Sequence, residues 1–203
     1  MRRLLPLLLL SLLLTACQKT DETLAIQSHD VIYHVFVPSF YDSNGDGVGD
    51  LNGITKKLDY IRDDLGAHAI YLSPIHPSDT YHKYDVKDYY GIDESFGDMG
   101  DFETLIEEAH KKDMKVILDL VLNHSSSQHP WFLEAKEAVE NGNCDVNKYC
   151  DYYNFTDEAL ANHTYLANNT WYESVFWSEM PDLNLDNESL YDELMDISKF
   201  WID

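Results

Sequence analysis

The stretch Lys115 to His124, KVILDLVLNH, constrains this chain more than any other, because an apolar run there ends abruptly in polar groups. Val116 to Leu122 has one interruption, Asp119, and otherwise has the composition of a strand buried on both faces, as in a parallel sheet covered by helices. An acid within such a strand is costly unless its charge is paired or hydrogen-bonded. Asn123 and His124 follow at the strand's mouth, and ligand-binding and catalytic groups in parallel α/β folds gather at the C-terminal strand ends. Strand, acid, amide and imidazole together predict a site.

The rest of the chain supplies the matching units. Val31 to Val37 is β-branched and aromatic and is closed by Pro38, which has no N–H to donate to a ladder. After a polar, Gly-rich loop, Ile54, Leu58, Ile61 and Leu65 form a helical stripe that Gly66 stops. Ala69 to Leu72 is a second strand, cut off by Pro74 and followed by a long Tyr-rich loop through Asp93. Asp98 is placed to cap a helix with Asp101 in its first turn, and Phe102, Leu105, Ile106 and Ala109 would face inward. Strand and helix in alternation predict right-handed crossovers and a parallel sheet, an α/β fold. After His124 the pattern dissolves for about sixty residues, too long for an ordinary connection. Ser125 to Leu183 nevertheless holds eleven aromatics, and disordered segments are poor in them, so a small irregular subdomain is expected. Helical spacing returns at Leu190, Leu194, Ile197 and Trp201, behind Asn187 as cap.

The first residues are expected to serve export and not the fold. Arg2 and Arg3 precede an apolar run, Leu4 to Leu14, too short to span a bilayer, and Leu14-Thr15-Ala16-Cys17 then resembles a bacterial lipobox. Residues 1–16 are thus expected to be a signal peptide, Cys17 the lipidated residue that anchors the protein to the membrane, and 17–29 a polar tether. An ordinary secretory signal is the alternative. Cys144 and Cys150 are left as a pair that fits a disulfide in an oxidising compartment, or half of a metal site. The formal charge of −23 excludes nucleic acid, which needs clustered Lys and Arg, and it disfavours phosphate esters. A neutral polymer such as a polysaccharide fits.

Two stretches carry further chemistry. In Asp42-Ser43-Asn44-Gly45-Asp46-Gly47-Val48-Gly49-Asp50 the residues Asp42, Asn44, Asp46 and Asp50 place side-chain oxygens at alternating positions around a Gly-rich turn, which suits a hard cation, Ca²⁺. Gly53 stands where an EF-hand has its bidentate Glu, so this is not an EF-hand; a solvated Asp/Gly turn is the alternative. Tyr81 to Tyr90 interleaves aromatic rings with His82, Asp85 and Asp88, a mixture suited to the apolar face and the hydroxyl rim of a sugar. Packing beneath a loop is the other use for those rings, and for Tyr89 and Tyr90 it is the expected one.

Asp119-Leu-Val-Leu-Asn-His124 resembles the first signature region of the α-amylase family of glycoside hydrolases, family 13, and Met180-Pro-Asp-Leu-Asn184 resembles another. The resemblance covers about Asp30 to Asp203. It implies a (β/α)₈ TIM barrel, of which residues 30–124 and 185–203 would supply about three βα units, with 125–184 as the inserted domain B. It also implies Tyr84 as the floor of the subsite holding the ring to be cleaved, His82 lining that pocket, His124 donating to a sugar hydroxyl, and Asp119 orienting its neighbours. Ca²⁺ in the 42–50 loop, with the carbonyl of Val48 as a further ligand, is implied as well. A complete barrel takes about 250 residues. The family's nucleophilic Asp, acid/base Glu and third Asp follow its fourth, fifth and seventh strands, beyond the pattern seen here. The chain is therefore expected to be the front portion of a lipid-anchored, retaining α-amylase that acts on α-1,4-glucans, with no catalytic carboxylate of its own and inactive by itself. Relatives that trim chain ends carry an Asp where this chain has Tyr81, which favours endo action over an exo-acting α-glucosidase or oligo-1,6-glucosidase. A surface glucan-binding protein without catalysis is the remaining alternative.

Overall fold

A computed structural model describes residues 30–202. The expected signal peptide, Cys17 and the tether lie outside the described residues. Three parallel strands, β1 (Ile32–Val35), β2 (Ala69–Leu72) and β3 (Lys115–Leu118), form a sheet in the order β1-β2-β3. Helix α1 (Leu51–Lys56), extended by a π-helical turn over Tyr60–Asp64, connects the first two, and α2 (Met99–Lys111) the second pair. The register aligns His34 with Tyr71 and Tyr71 with Ile117.

Local chemistry accounts for the helix ends. Asp98 accepts from the N–H of Asp101, and the Asp101 carboxylate accepts in return from the N–H of Asp98, a complete capping box. Ile54, Leu58 and Ile61 are fully buried with Val35, Leu72 and Leu105 in one core cluster. Leu65 departs from the expected stripe and is exposed, because the chain widens into the π turn at Tyr60 and so rotates the positions after Ile61 off the apolar face.

The third strand is shorter than its apolar run. β3 ends at Leu118, and its residues are only half-buried, not buried on both faces, because β3 is an edge of the described sheet. The N–H of Asp119 still reaches the carbonyl of Leu72, 3.1 Å away, but Leu120 to Asn123 leave the ladder. His124 instead forms an isolated antiparallel bridge with Asp182.

Residues 125–184 are more regular than their composition suggests. They hold α3 (Pro130–Asn141) and an antiparallel sheet, β4 (Phe155–Thr156), β5 (His163–Ala167) and β6 (Thr170–Glu173), in the order β4-β6-β5. Cys144 and Cys150 are joined by a disulfide across the turns that follow α3. Phe132, Tyr152, Tyr153 and Tyr172 pack with Leu190, Leu194 and Ile197 of α4 (Glu188–Ile202) into a second core cluster. The N–H of Leu190 donates to the Asn187 side chain as expected of a cap. Trp201 touches both clusters, and its indole N–H donates to the carbonyl of Tyr89 at 2.7 Å. Among the described residues no helix is long and apolar enough to cross a membrane.

Candidate functional site

A cavity of about 680 Å³ opens beyond the C-terminal ends of the parallel strands. Its lining comes from three segments: His82 and Tyr84 from the loop after β2, Asp119 to His124 from the exit of β3, and Phe176, Trp177 and Met180 from the turn after β6. Tyr84 and His124, which are 40 residues apart in sequence, thus share one cleft.

Asp119 is the polar centre of that cleft. Successive strand residues point to opposite faces, so Asp119 falls on the face of Ile117 and of its register partner Tyr71. One oxygen, Oδ2, accepts the hydroxyl of Tyr71 at 2.6 Å and that of Tyr84 at 2.8 Å. Both tyrosines are pushed up to about 12: Tyr71 chiefly by its hydrogen bond to Asp119, Tyr84 first by burial and then by that carboxylate. Tyr71 escaped the sequence reading. Its signal was a lone polar tip in an otherwise apolar strand, three residues before Pro74.

The loop that carries Tyr84 is tied at several points. Asp85 is buried and accepts the Ser78 hydroxyl at 2.5 Å, the Thr80 hydroxyl, and the N–H of Asp79. Lys83 holds a left-handed backbone, φ 62°, and its ammonium pairs with Asp93 at 2.7 Å. Burial pushes the Asp93 carboxyl up, but Lys83 and Ser95 outweigh it and hold the group below the usual carboxylate range. The N–H of Tyr84 donates to Nδ1 of His82. The same Nδ1 lies 3.0 Å from the Thr80 hydroxyl oxygen, so the imidazole is held on the loop from two sides.

The imidazole of His124 is held on both of its nitrogens. Its Nε2–H donates to the carbonyl of Tyr84 at 3.1 Å, and its Nδ1 faces the Asn123 amide. The ring is buried, and that desolvation lowers its basicity. His124 therefore clamps the Tyr84 loop. Asn123 in turn donates to Asp182 at 2.7 Å, and the second Asp182 oxygen accepts the N–H of Val175. Tyr89 is buried beneath, with its hydroxyl donating to the carbonyl of His124, whereas Tyr90 is exposed against Phe200. Packing under the loop thus holds for the first and not for the second.

In the 42–50 loop the side-chain oxygens accept backbone N–H groups. Asp42 accepts from Asn44, Gly45 and Gly47; Asp46 accepts from Val48 and from the Asn44 amide; Asp50 accepts from Ser43 and Gly53. Gly45 and Gly47, at φ 86° and 94°, allow the tight turn. Hydrogen bonds from Gly47 and Gly45 hold Asp42 below its ordinary range. A carboxylate oxygen has two lone pairs, so Asp42 Oδ2 and both oxygens of Asp46 and Asp50 keep one each for a cation. The donor set, all oxygen, suits Ca²⁺. Among the described residues, however, no three His, Cys, Asp or Glu side chains are grouped to hold a metal, so Asp42, Asp46 and Asp50 do not converge in this arrangement.

Strands delivering a carboxylate, tyrosines and imidazoles to one rim, above parallel βα units, define the ligand face of a βα-barrel protein. More narrowly, the chain belongs to the α-amylase family: the family model for the alpha amylase catalytic domain matches residues 34–203. It is 48% identical over 176 residues to alpha-amylase 3 of Dictyoglomus thermophilum, covering 85% of this chain and 34% of that protein. It is 38% identical over 189 residues to an oligo-1,6-glucosidase of Parageobacillus thermoglucosidasius, covering 85% and 32%. Among solved structures, Amy13B of Eubacterium rectale superposes with a TM-score of 0.80 at 45% identity, covering 85% of this chain and 34% of that one. The chain spans about a third of the length of the curated relatives it matches.

Proposed function

We propose that the protein to which this chain belongs is an α-amylase-type glycoside hydrolase that acts on α-1,4-glucans by a retaining mechanism. The observation that carries the proposal is the shared cleft, in which the Tyr84 ring and the Asp119 carboxylate meet beyond the ends of the parallel strands. In this reading Tyr84 offers its face to a sugar ring and Asp119 fixes the tilt of that face. His82 lines the cleft beside Tyr84, and His124 holds the Tyr84 carbonyl. Ca²⁺ would neutralise the loop before α1 if Asp42, Asn44, Asp46, Asp50 and the carbonyl of Val48, which do not converge in the arrangement described, turned toward one point on binding it. Lipidation of Cys17 and export to the membrane surface complete the proposal.

Asp119 is not proposed as the nucleophile. Retaining glycosidases need two carboxyl groups about 5–5.5 Å apart. Asp119 is the one carboxylate among the described residues that line the cavity, and two tyrosines occupy it. The 203-residue chain alone is therefore expected to bind maltoheptaose and to release no reducing ends from starch. Titration calorimetry tests the first point and a reducing-end assay the second. Absence of binding, or steady hydrolysis, refutes the reading. An exo-acting or oligo-1,6-glucosidase action is the second reading, motivated by the relative of that name. Exposure of Tyr81 at the place where an end-blocking acid would stand favours endo action. For the whole protein, maltooligosaccharides of mixed length support endo action and glucose alone supports exo.

A further inference from the structure

Tyr89 lies between two buried imidazoles, close to where the two core clusters meet at Trp201. His76, from the loop after β2, is fully buried, and His129, at the start of α3, is 4% exposed. Their ring centroids stand 6.3 Å and 5.3 Å from that of Tyr89. Trp201 lies 5.0 Å from His76, and Trp131 lies 4.4 Å from His129. The partners fix the protons. His76 Nδ1 faces the Gly91 carbonyl at 3.1 Å, and a carbonyl can only accept, so Nδ1 carries the proton and Nε2 is a bare acceptor. That Nε2 is buried without a hydrogen-bond partner among the described residues. His129 caps α3, its Nδ1 accepting the N–H of Trp131 at 3.1 Å, so that nitrogen is unprotonated. The carboxylate whose field reaches both rings is Asp88, and that of Asp119 also reaches His76; Tyr153 is the titratable neighbour of Tyr89. Asp88 is exposed and accepts the N–H of Tyr90, and Asp119 holds the two tyrosine hydroxyls, so neither pairs with an imidazole.

We propose that this seam is an acid-sensitive latch, in which proton uptake by His129 and His76 frees the first turn of α3 and the Tyr89 loop from each other while the parallel sheet stays folded. A proton on His129 Nδ1 turns the cap's acceptor into a donor that faces another donor, the N–H of Trp131. A proton on His76 Nε2 places an N–H between the rings of Tyr89 and Trp201, where it meets no acceptor. Charge in such surroundings is costly unless it is paired. Both rings are buried by the described residues themselves, so further chain could only deepen their burial. The latch reaches the cleft through three hydrogen bonds. The Tyr89 hydroxyl donates to the His124 carbonyl at 2.8 Å, the N–H of Ser126 donates to the Val86 carbonyl at 2.8 Å, and His124 holds the Tyr84 carbonyl. Opening the seam therefore loosens the segment that carries Tyr84. This inference stands on packing and is independent of what occupies the cleft.

With the seam open, His129 takes up its proton near pH 6.5, whereas with the seam closed burial delays this to about 4. Lowering the pH from about 7.5 to about 5 therefore favours opening about 30-fold through His129 alone. Hydrogen exchange of the 203-residue chain, corrected for the intrinsic pH dependence of amide exchange, reads this change. The amides of Trp131, Leu133 and Ser126, which bond to His129 Nδ1, the His129 carbonyl and the Val86 carbonyl, should lose protection by that factor and respond little to urea. The amide of Leu105 in α2 should stay better protected than they are at both pH values. His129→Asn keeps a capping oxygen that does not titrate, and it should remove most of the loss. His76→Asn/His129→Asn should remove all of it, and His110→Asn, at an exposed position, none. Exchange of Leu133 and Leu105 at one shared rate near pH 5, with equal response to urea, shows that the chain opens as one unit and overturns the latch. A loss of protection that persists in both His129 variants overturns it as well. Should those variants not fold, the wild type decides by NMR: protection of Leu133 must fall as the His129 ring titrates, and protection that stays constant through that titration refutes the proposal.

Discussion

Replacing Asp119 with Asn keeps the shape of the side chain and removes its charge, and the two tyrosines that lean on it should respond unequally. Both stand at about 12, roughly two units above the ordinary value near 10. Each unit corresponds to about 1.4 kcal/mol, so a full shift is about 2.7 kcal/mol per tyrosine. Tyr84 is 37% exposed at the rim, and solvent screening reduces the effect to about 1–2 kcal/mol. Unfolded tyrosines lose their protons near pH 10, whereas the folded pair holds them to about 12. The folded state therefore binds more protons in that window, and stability falls as pH climbs through it. The amide oxygen introduced by Asp119→Asn can still accept hydrogen bonds, but the charge that resists tyrosinate is gone. Tyr71, whose rise comes mainly from Asp119, should drop further than Tyr84, whose rise comes first from burial. Ultraviolet difference titration of tyrosinate reads this directly, with Tyr71→Phe and Tyr84→Phe assigning the two steps. Urea midpoints across the alkaline window should show a shallower loss of stability in Asp119→Asn. A variant that leaves both tyrosines near 12, or that lowers Tyr84 more than Tyr71, refutes the electrostatic account of the site.

Three further outcomes follow from the same structure. Burial lowers the basicity of His76, His124 and His129, the last to about 4. Unfolded histidines take up protons below about pH 6.5. Stability is therefore complete above that value and lost as pH falls through the window toward 4, by about 3 kcal/mol for His129 alone, and urea melts across it should lose that part in His129→Gln. Reduction of Cys144–Cys150, which closes a loop of sequence separation 6, should lower stability by about 2 kcal/mol, visible as a shifted melting temperature with dithiothreitol that Cys144→Ser/Cys150→Ser abolishes. Ca²⁺ at about a hundred times its dissociation constant should raise stability by about 2.7 kcal/mol, reversed by a chelator and absent in Asp46→Ala; an unchanged melting curve would exclude the loop as a calcium site.

Much of the scaffold was legible in the chain because its signals are short-range. The capping box of Asp98 and Asp101, the cap at Asn187 and the bounds of β2 each depend on residues within a few positions of one another. The sequence also marked Tyr84, Asp119 and His124 for one site through resemblance, and these residues do line one cavity. It overextended β3, because an apolar run does not reveal where a ladder partner ends. It likewise extended the α1 stripe to Leu65, because a π turn leaves no mark in hydrophobic spacing.

The sequence by itself determined the alternation of strand and helix, the positions of the caps and the set of polar residues at the strand ends. Only the tertiary structure decided which of those residues meet. Tyr71 lies 48 positions from Asp119 and Tyr84 lies 35, so their shared oxygen depends on sheet register and on a loop folding back. The same long-range packing turned His124 toward the Tyr84 carbonyl and displayed Phe176 and Trp177 at the rim. Hydrogen-bond partners are chosen by proximity in space, and no local pattern encodes which side chain arrives first across a gap of that length.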